Sequence, residues 1–218
     1  MIRDLLASER PTLSYEVYPP RTADSEQTLW STLESLASTR PDFVSITYGA
    51  SGSTRTASQN VVHRVGHTLG VPALAHLTCV AQSVAEITTV IECFLEDGVR
   101  DFLALRGDPP KGVANWTPHP DGLLYASQLV TLIREVGHAN GLDNLSIGVT
   151  AFPAAPGAAM DTGLEVLRLK QEAGADFAVT QLFYEAAQYA RLIQRGADAG
   201  IGHPVIPGII PLTTAKRA

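Results

Sequence analysis

Glu16 is the residue in this chain whose type and setting most suggest chemistry. It stands in SYEVYPP, an extended segment with Ser14 and Glu16 on one face and Tyr15 and Val17 on the other. A carboxylate turned into the mouth of a barrel loses hydration, which raises its pKa. Such a group serves as a general acid near neutral pH. The competing reading is a solvated carboxylate at a strand end. Asp108 follows another strand-like segment, in RGDPP, where its charge can steady a cation or its side chain can cap a turn before Pro109. Gln181 offers a donor and an acceptor together, for a ligand edge or for the core. His76, taken alone, reads as a hydrogen-bonded core histidine. GASGST at 49–54 is no dinucleotide fingerprint, because no G-x-G-x-x-G occurs and the loop follows the second strand, not the first. Cys79 and Cys93 have no metal-ligand spacing, and no metal site is expected.

Seven short segments rich in Val, Ile, Leu, Phe and Tyr have to position these groups. They read as strands over 14–18, 43–48, 73–78, 102–106, 146–151, 177–183 and 205–210. Helical periodicity lies between them. In 84–97, Val84, Ile87, Ile91 and Phe94 share one face, Ser83 and Glu86 form a capping box, and Gly98 supplies the C-terminal stop. Leu29, Leu33 and Leu36 line one side of 26–37, and 164–173 ends at Gly174. Strand starts recur about every thirty residues, the length of one βαβ step. The longer fourth interval holds a Pro/Gly-rich loop, 107–122. Polar residues then choose between an open sheet and a barrel. Strands covered on both faces are apolar throughout, yet Glu16, Ser45, Thr47, His76, Asp108, Thr150 and Gln181 gather toward the C-terminal ends. Those ends form one rim in a barrel, where such folds keep their sites. The expectation is an α/β chain folded as a single (β/α)8 TIM-barrel catalytic domain over residues 1–218. Seven strands are visible, so an eighth strand and its helix are expected outside the chain. Otherwise a partner or a swapped segment covers the open edges, and without such cover the chain is expected to be unstable or to self-associate.

The bulk composition narrows the class of function. The 218 residues are 45% hydrophobic and 17% charged, with a formal net charge of −6. That balance opposes a surface built to grip nucleic acid. No apolar run approaches the ~20 residues of a membrane span, and the charged start MIRDLLASERP is unlike a signal peptide. Two cysteines make no disulfide framework, which points to the reducing cytoplasm.

SYEVYPPRT, DFVSITYGASGSTR, AHLTCV, LALRGDPP, LLYASQLVTLIRE, AGADFAVTQLFY and PVIPGIIPLT occur in the order of the strands and loops of methylenetetrahydrofolate reductases. The chain resembles that family from about residue 14 to its end. The resemblance implies a cytoplasmic barrel enzyme that reduces 5,10-methylenetetrahydrofolate to 5-methyltetrahydrofolate with NAD(P)H, NADH being favoured. By that resemblance Glu16 is the general acid that opens the folate ring at N10, and Asp108 the charge beside the pterin. Gln181 and Phe183 bind the folate. Thr47, Tyr48, His76, Leu105, Arg106, Gly107, Tyr125, Ala151, Phe152 and Lys170 match cofactor-binding positions. Arg106 reads equally as a salt-bridge partner. The resemblance adds no nucleic-acid or membrane partner and leaves room for a homo-oligomer.

Flavin-containing members carry a His after strand five, then Asp and Asn one turn apart and a Lys on the next helix. Here AAP stands in place of the His, and Gly163 and Val166 stand at the Asp and Asn positions. Lys170 remains, Asp161 is a partial substitute, and Ala215 replaces a late aromatic. FAD, expected from the family, is therefore expected to bind weakly or not at all. Two alternatives stay open: a flavin-free folate-binding paralogue or accessory subunit, and a folate-dependent barrel methyltransferase.

Overall fold

The computed structural model describes residues 1–8, 10–48, 52–109 and 117–210. The expectations for Gly49 to Ser51, for 110–116 in the long loop, and for Ala215 lie outside the described residues. The chain divides into two compact units, Met1–Ile147 and Gly148–Ala218. It is an α/β fold of parallel strands alternating with helices, the chain logic of part of a TIM barrel.

The first unit opens with α1 (Ile2–Leu6), followed by β1 (Ser14–Val17), α2 (Ala23–Ala37), β2 (Phe43–Ile46) and α3 (Gly52–His67). It continues with β3 (Ala73–Thr78), α4 (Val84–Glu96), β4 (Asp101–Leu105) and α5 (Ala126–Ala139), up to the start of β5 (Ser146–Ala151). β1 pairs in parallel with β2, β2 with β3 and β3 with β4: Glu16 lies beside Ser45, Ile46 beside Ala75, and His76 beside Leu103. With β3 held between β2 and β4, the order shows none of the reversal that defines a doubly wound sheet. In this unit the strand order is that of a barrel.

Local chemistry explains the helix limits. The capping box at α4 forms as the sequence predicts: the Ser83 hydroxyl accepts from the Glu86 amide, and the Glu86 carboxylate accepts from the Ser83 amide. Gly98 then takes φ +84°, a backbone conformation that side chains with a Cβ resist. α2 begins at Ala23, three residues before the expected start, because Thr22 and Ser25 build a second capping box. Ile87, Ile91 and Phe94 of α4 are buried, with Phe94 edge-on to Phe102 of β4, ring centroids 6.2 Å apart. α1 has no counterpart in the sequence reading. Its Ile2 amide donates to the buried Asp101 carboxylate at 2.7 Å, and the Arg3 amide to Ser146 Oγ at 3.1 Å. The N-terminal segment is thereby pinned beneath the starting ends of β4 and β5.

The second unit holds the rest of β5, then α6 (Gly157–Glu172), β6 (Phe177–Thr180), α7 (Ala186–Asp198) and β7 (Val205–Ile206). β6 pairs in parallel with β5 and with β7. α6 starts seven residues earlier than the periodicity suggests. Pro156 stands at the N-cap, where a proline before the first turn costs a helix nothing, and the alanines that follow favour it. β6 ends at Thr180, so Gln181 and Phe183 sit just beyond the strand instead of in it. No helix among the described residues is long and apolar enough to cross a membrane.

Candidate functional site

In the first unit, the C-terminal halves of β1, β2 and β3 bring Glu16, Ser45 and His76 side by side. Glu16 and Ser45 are register partners, and Ser45 Oγ lies 2.6 Å from His76 Nε2. The Glu16 residue keeps access to solvent, while the surroundings of its carboxyl strip enough water to raise its pKa. That is the direction a general acid requires.

His76 is buried, and burial pushes its pKa down to about 4. The ring is therefore neutral at physiological pH, one nitrogen donating and the other accepting. Neither the spacing nor the composition of the sequence revealed its pairing with Ser45. Only the register of β2 against β3 does. A pH dependence follows. The unfolded imidazole takes its proton near 6.5 and the folded one only near 4. Stability should therefore fall as pH drops through that window, by up to about 3 kcal/mol. Denaturation midpoints at pH 7 and pH 5 test this. His76→Asn should lose a distinctly smaller share of its stability over that interval, and an equal loss in both proteins would contradict the assignment.

The loop after β4 runs against the loop after β3. Cys79 donates its amide to the Leu105 carbonyl at 3.2 Å and its thiol to the Arg106 carbonyl at 3.3 Å. Gly107 follows at φ +82°, and a Cβ there would come within 2.7 Å of Val80 Cγ1. Only glycine fits, and its turn sends Asp108 into solvent at the strand end. Arg106 is exposed, with Nε donating to the Gly107 carbonyl at 3.3 Å; no salt bridge of it is seen among the described residues. Thr47 extends the β1–β2 pairing by donating its amide to the Val17 carbonyl at 3.1 Å, and Tyr48 beside it is half-buried. Tyr125 is exposed at the N-cap of α5, its amide held by Gln128 Oε1. The first unit thus carries Glu16, Thr47, Tyr48, His76, Leu105, Arg106, Gly107 and Asp108 at strand ends or just after them, with Tyr125 at the start of a helix.

The second unit carries the other expected residues. Ala151 is buried at the end of β5, and Phe152 beyond it is exposed. The Gln181 amide donates to the Ala151 carbonyl at 2.7 Å, and its side-chain oxygen accepts from the Leu182 amide. Its side-chain NH2 is the group left to offer a ligand. Phe183 stacks on Tyr189 with ring centroids 5.7 Å apart, and Tyr189 donates its hydroxyl to the Val205 carbonyl. Lys170 is buried, and its ammonium donates to the Thr150 carbonyl at 2.9 Å. Desolvation lowers its pKa to about 8. Buried lysines are expensive unless paired with a charge, so one held by neutral oxygens suits an anionic group of a ligand.

The face of α6 leading to Lys170 is poor in polar groups. A Cβ at Gly163 would meet open space, Val166 is exposed, and the Asp161 carboxylate is paired with Arg195 of α7. Asp161, the partial substitute, is thus engaged elsewhere.

The family model described as Methylenetetrahydrofolate reductase matches residues 1–218. The chain belongs to the methylenetetrahydrofolate reductase family. The 5,10-methylenetetrahydrofolate reductase of Escherichia coli (strain K12) is 37% identical over 208 residues, covering 94% of this chain and 66% of that protein. The Methylenetetrahydrofolate reductase (NADH) 1 of Arabidopsis thaliana is 30% identical over 226 residues, covering 99% of this chain and 38% of that protein. The chain thus spans a little under two thirds of the length of the bacterial family member. Among solved structures, the crystal structure of 2,3-dimethylmalate lyase shares the fold, with a TM-score of 0.62 at 14% identity, covering 97% of this chain and 80% of that one.

Proposed function

We propose that the chain reduces 5,10-methylenetetrahydrofolate to 5-methyltetrahydrofolate with a hydride from NAD(P)H. The observation that carries this reading is Glu16 with its raised pKa, seated beside the neutral Ser45–His76 pair in a chain of this family. Glu16 gives its proton to N10 of the folate as the bond from N10 to the bridging methylene carbon breaks. The electron pair stays on N10, and N5 with the methylene carbon becomes an iminium cation. Hydride from the nicotinamide adds to that carbon, the product leaves as the N5-methyl amine, and Glu16 recovers its proton from solvent. Asp108 supplies negative charge for the cationic stage. Gln181 and Phe183 hold the pterin, one through its free NH2 and the other through its ring face. The likeness to the Methylenetetrahydrofolate reductase (NADH) 1 of Arabidopsis thaliana favours NADH as donor. We place the reaction in the cytoplasm, within one catalytic barrel domain.

The residues on α6 do not fit a tightly held FAD. Gly163 adds no contact, Val166 is apolar, and Asp161 is already paired, so contacts of about 1 kcal/mol or more each are absent where polar groups would grip a ribityl or adenylate. The hydride therefore passes to folate without a flavin between. The nicotinamide is read as lying directly over the strand ends that carry Thr47, His76 and Leu105. Direct transfer requires both substrates together, so initial rates should give intersecting double-reciprocal lines, and purified protein should be colourless. Parallel lines, or stoichiometric FAD surviving gel filtration, would overturn the direct route.

A further inference from the structure

His63 and His67 lie one turn apart at the C-terminal end of α3, with ring centroids 4.4 Å apart and planes tilted by 37°. Asp97, the C-cap of α4, meets both. Its Oδ1 lies 2.9 Å from His63 Nδ1, and its backbone carbonyl accepts from His67 Nε2 at 3.0 Å. One ligand atom from each of the three side chains can be drawn within 4.8 Å of the others. We propose that His63, His67 and Asp97 form a binding site for a borderline divalent cation, Zn2+ foremost, which clasps α3 to the end of α4.

Imidazoles at i and i+4 project from one face of a helix, and the carboxylate approaches from a second element, which makes a three-ligand set. Two nitrogens and one oxygen suit Zn2+ and neighbouring transition ions; Mg2+ and Ca2+ prefer all-oxygen shells. Bonds of 2.0–2.1 Å in tetrahedral geometry put ligand atoms about 3.3 Å apart. The His63–Asp97 contact already lies near that spacing. Both histidines are on the surface, so rotation about their side-chain torsions can close the remaining gap. A water would take the fourth position.

The location assigns the role. α3 ends at His67 just before β3, and Asp97 precedes β4, so the three residues sit at the starting ends of these strands. Glu16, His76 and Asp108 lie toward the opposite ends. The ion would lock two helices together and take no part in hydride transfer. The competing reading is a surface hydrogen-bond cluster in which His67 caps a carbonyl at the end of α4.

Cys93 is a free exposed thiol on α4 and would bind zinc on its own account. The test therefore uses the full chain carrying Cys93→Ser, stripped with chelator and titrated with ZnCl2 by calorimetry. One Zn2+ should bind saturably per chain and raise Tm, while MgCl2 does neither. His67→Gln, which keeps a donor for the Asp97 carbonyl, and Asp97→Asn should each weaken zinc binding at least tenfold. The imidazole proton resonances of His63 and His67 should shift during the titration, a readout that needs no further substitution. Absence of saturable binding, zinc affinity unchanged in both variants, or imidazole signals that do not move would each overturn the proposal.

Discussion

Replacing Glu16 with Gln should leave folate binding close to normal and lower the reduction rate by the ~10²–10⁴-fold that follows loss of a general acid. Gln keeps the size and hydrogen bonding of the side chain but has no proton to deliver to N10. The loss should fall on kcat, with little change in the dissociation constant measured by fluorescence quenching or calorimetry. The raised carboxyl pKa sharpens the expectation. Wild-type activity should decline as pH rises through the Glu16 titration, and that limb should be missing from the residual activity of the variant. A Glu16→Gln protein with near-normal turnover would remove Glu16 from the mechanism.

The second large effect concerns the support beneath the site. Phe102 is fully buried in β4, lies beside Ala75 of β3, and meets Phe94 of α4 edge to face. Phe102→Ala removes the ring from the layer that binds strand to helix, and the cavity it leaves should cost roughly 3–5 kcal/mol. Three residues on, β4 delivers its end to Arg106, Gly107 and Asp108, so the same substitution should loosen the loop that places Asp108. Chemical denaturation measures the loss directly. A drop below about 1 kcal/mol would show that the β4–α4 contact carries far less of the stability than its burial implies.

Much of this architecture was legible in the sequence because its signals are local. Runs of Val, Ile, Leu and Phe marked all seven strands to within a few residues. Ser83, Glu86 and Gly98 marked the ends of α4 through capping chemistry that depends on near neighbours only. The parts that escaped depend on distant residues. Docking of α1 rests on Ile2 and Asp101, 99 positions apart, and nothing in MIRDLLASERP announces that partner. The Ser45–His76 pair exists because β2 and β3 lie in one register. Gly107 stood out in the sequence only through the family resemblance, as a cofactor-binding position; its steric reason, the neighbouring Val80 side chain that leaves no room for a Cβ, is visible only in the fold.

The candidate site divides in the same way. Glu16 and the strand-end polar residues could be singled out from position alone. The roles of Gln181, Phe183 and Lys170 came through family resemblance. For Lys170 the structure adds a physical ground, burial among neutral partners, that no sequence pattern carries. The sequence carries no expectation of a metal site: His63 and His67 stand four residues apart, but the carboxylate beside them comes from Asp97 at the end of another helix, thirty residues on.

Direct hydride transfer onto folate beside Glu16 is tested most closely by an isotope. The full chain, freed of any flavin, is mixed with NADH deuterated at the transferred C4 position and with 5,10-methylenetetrahydrofolate, and the product is read by mass spectrometry. The expected product is 5-methyltetrahydrofolate with one deuterium in its methyl group, formed in step with oxidation of the nicotinamide and nearly abolished by Glu16→Gln. Oxidation that does not depend on the folate, or product that appears only when FAD is added back, would contradict it.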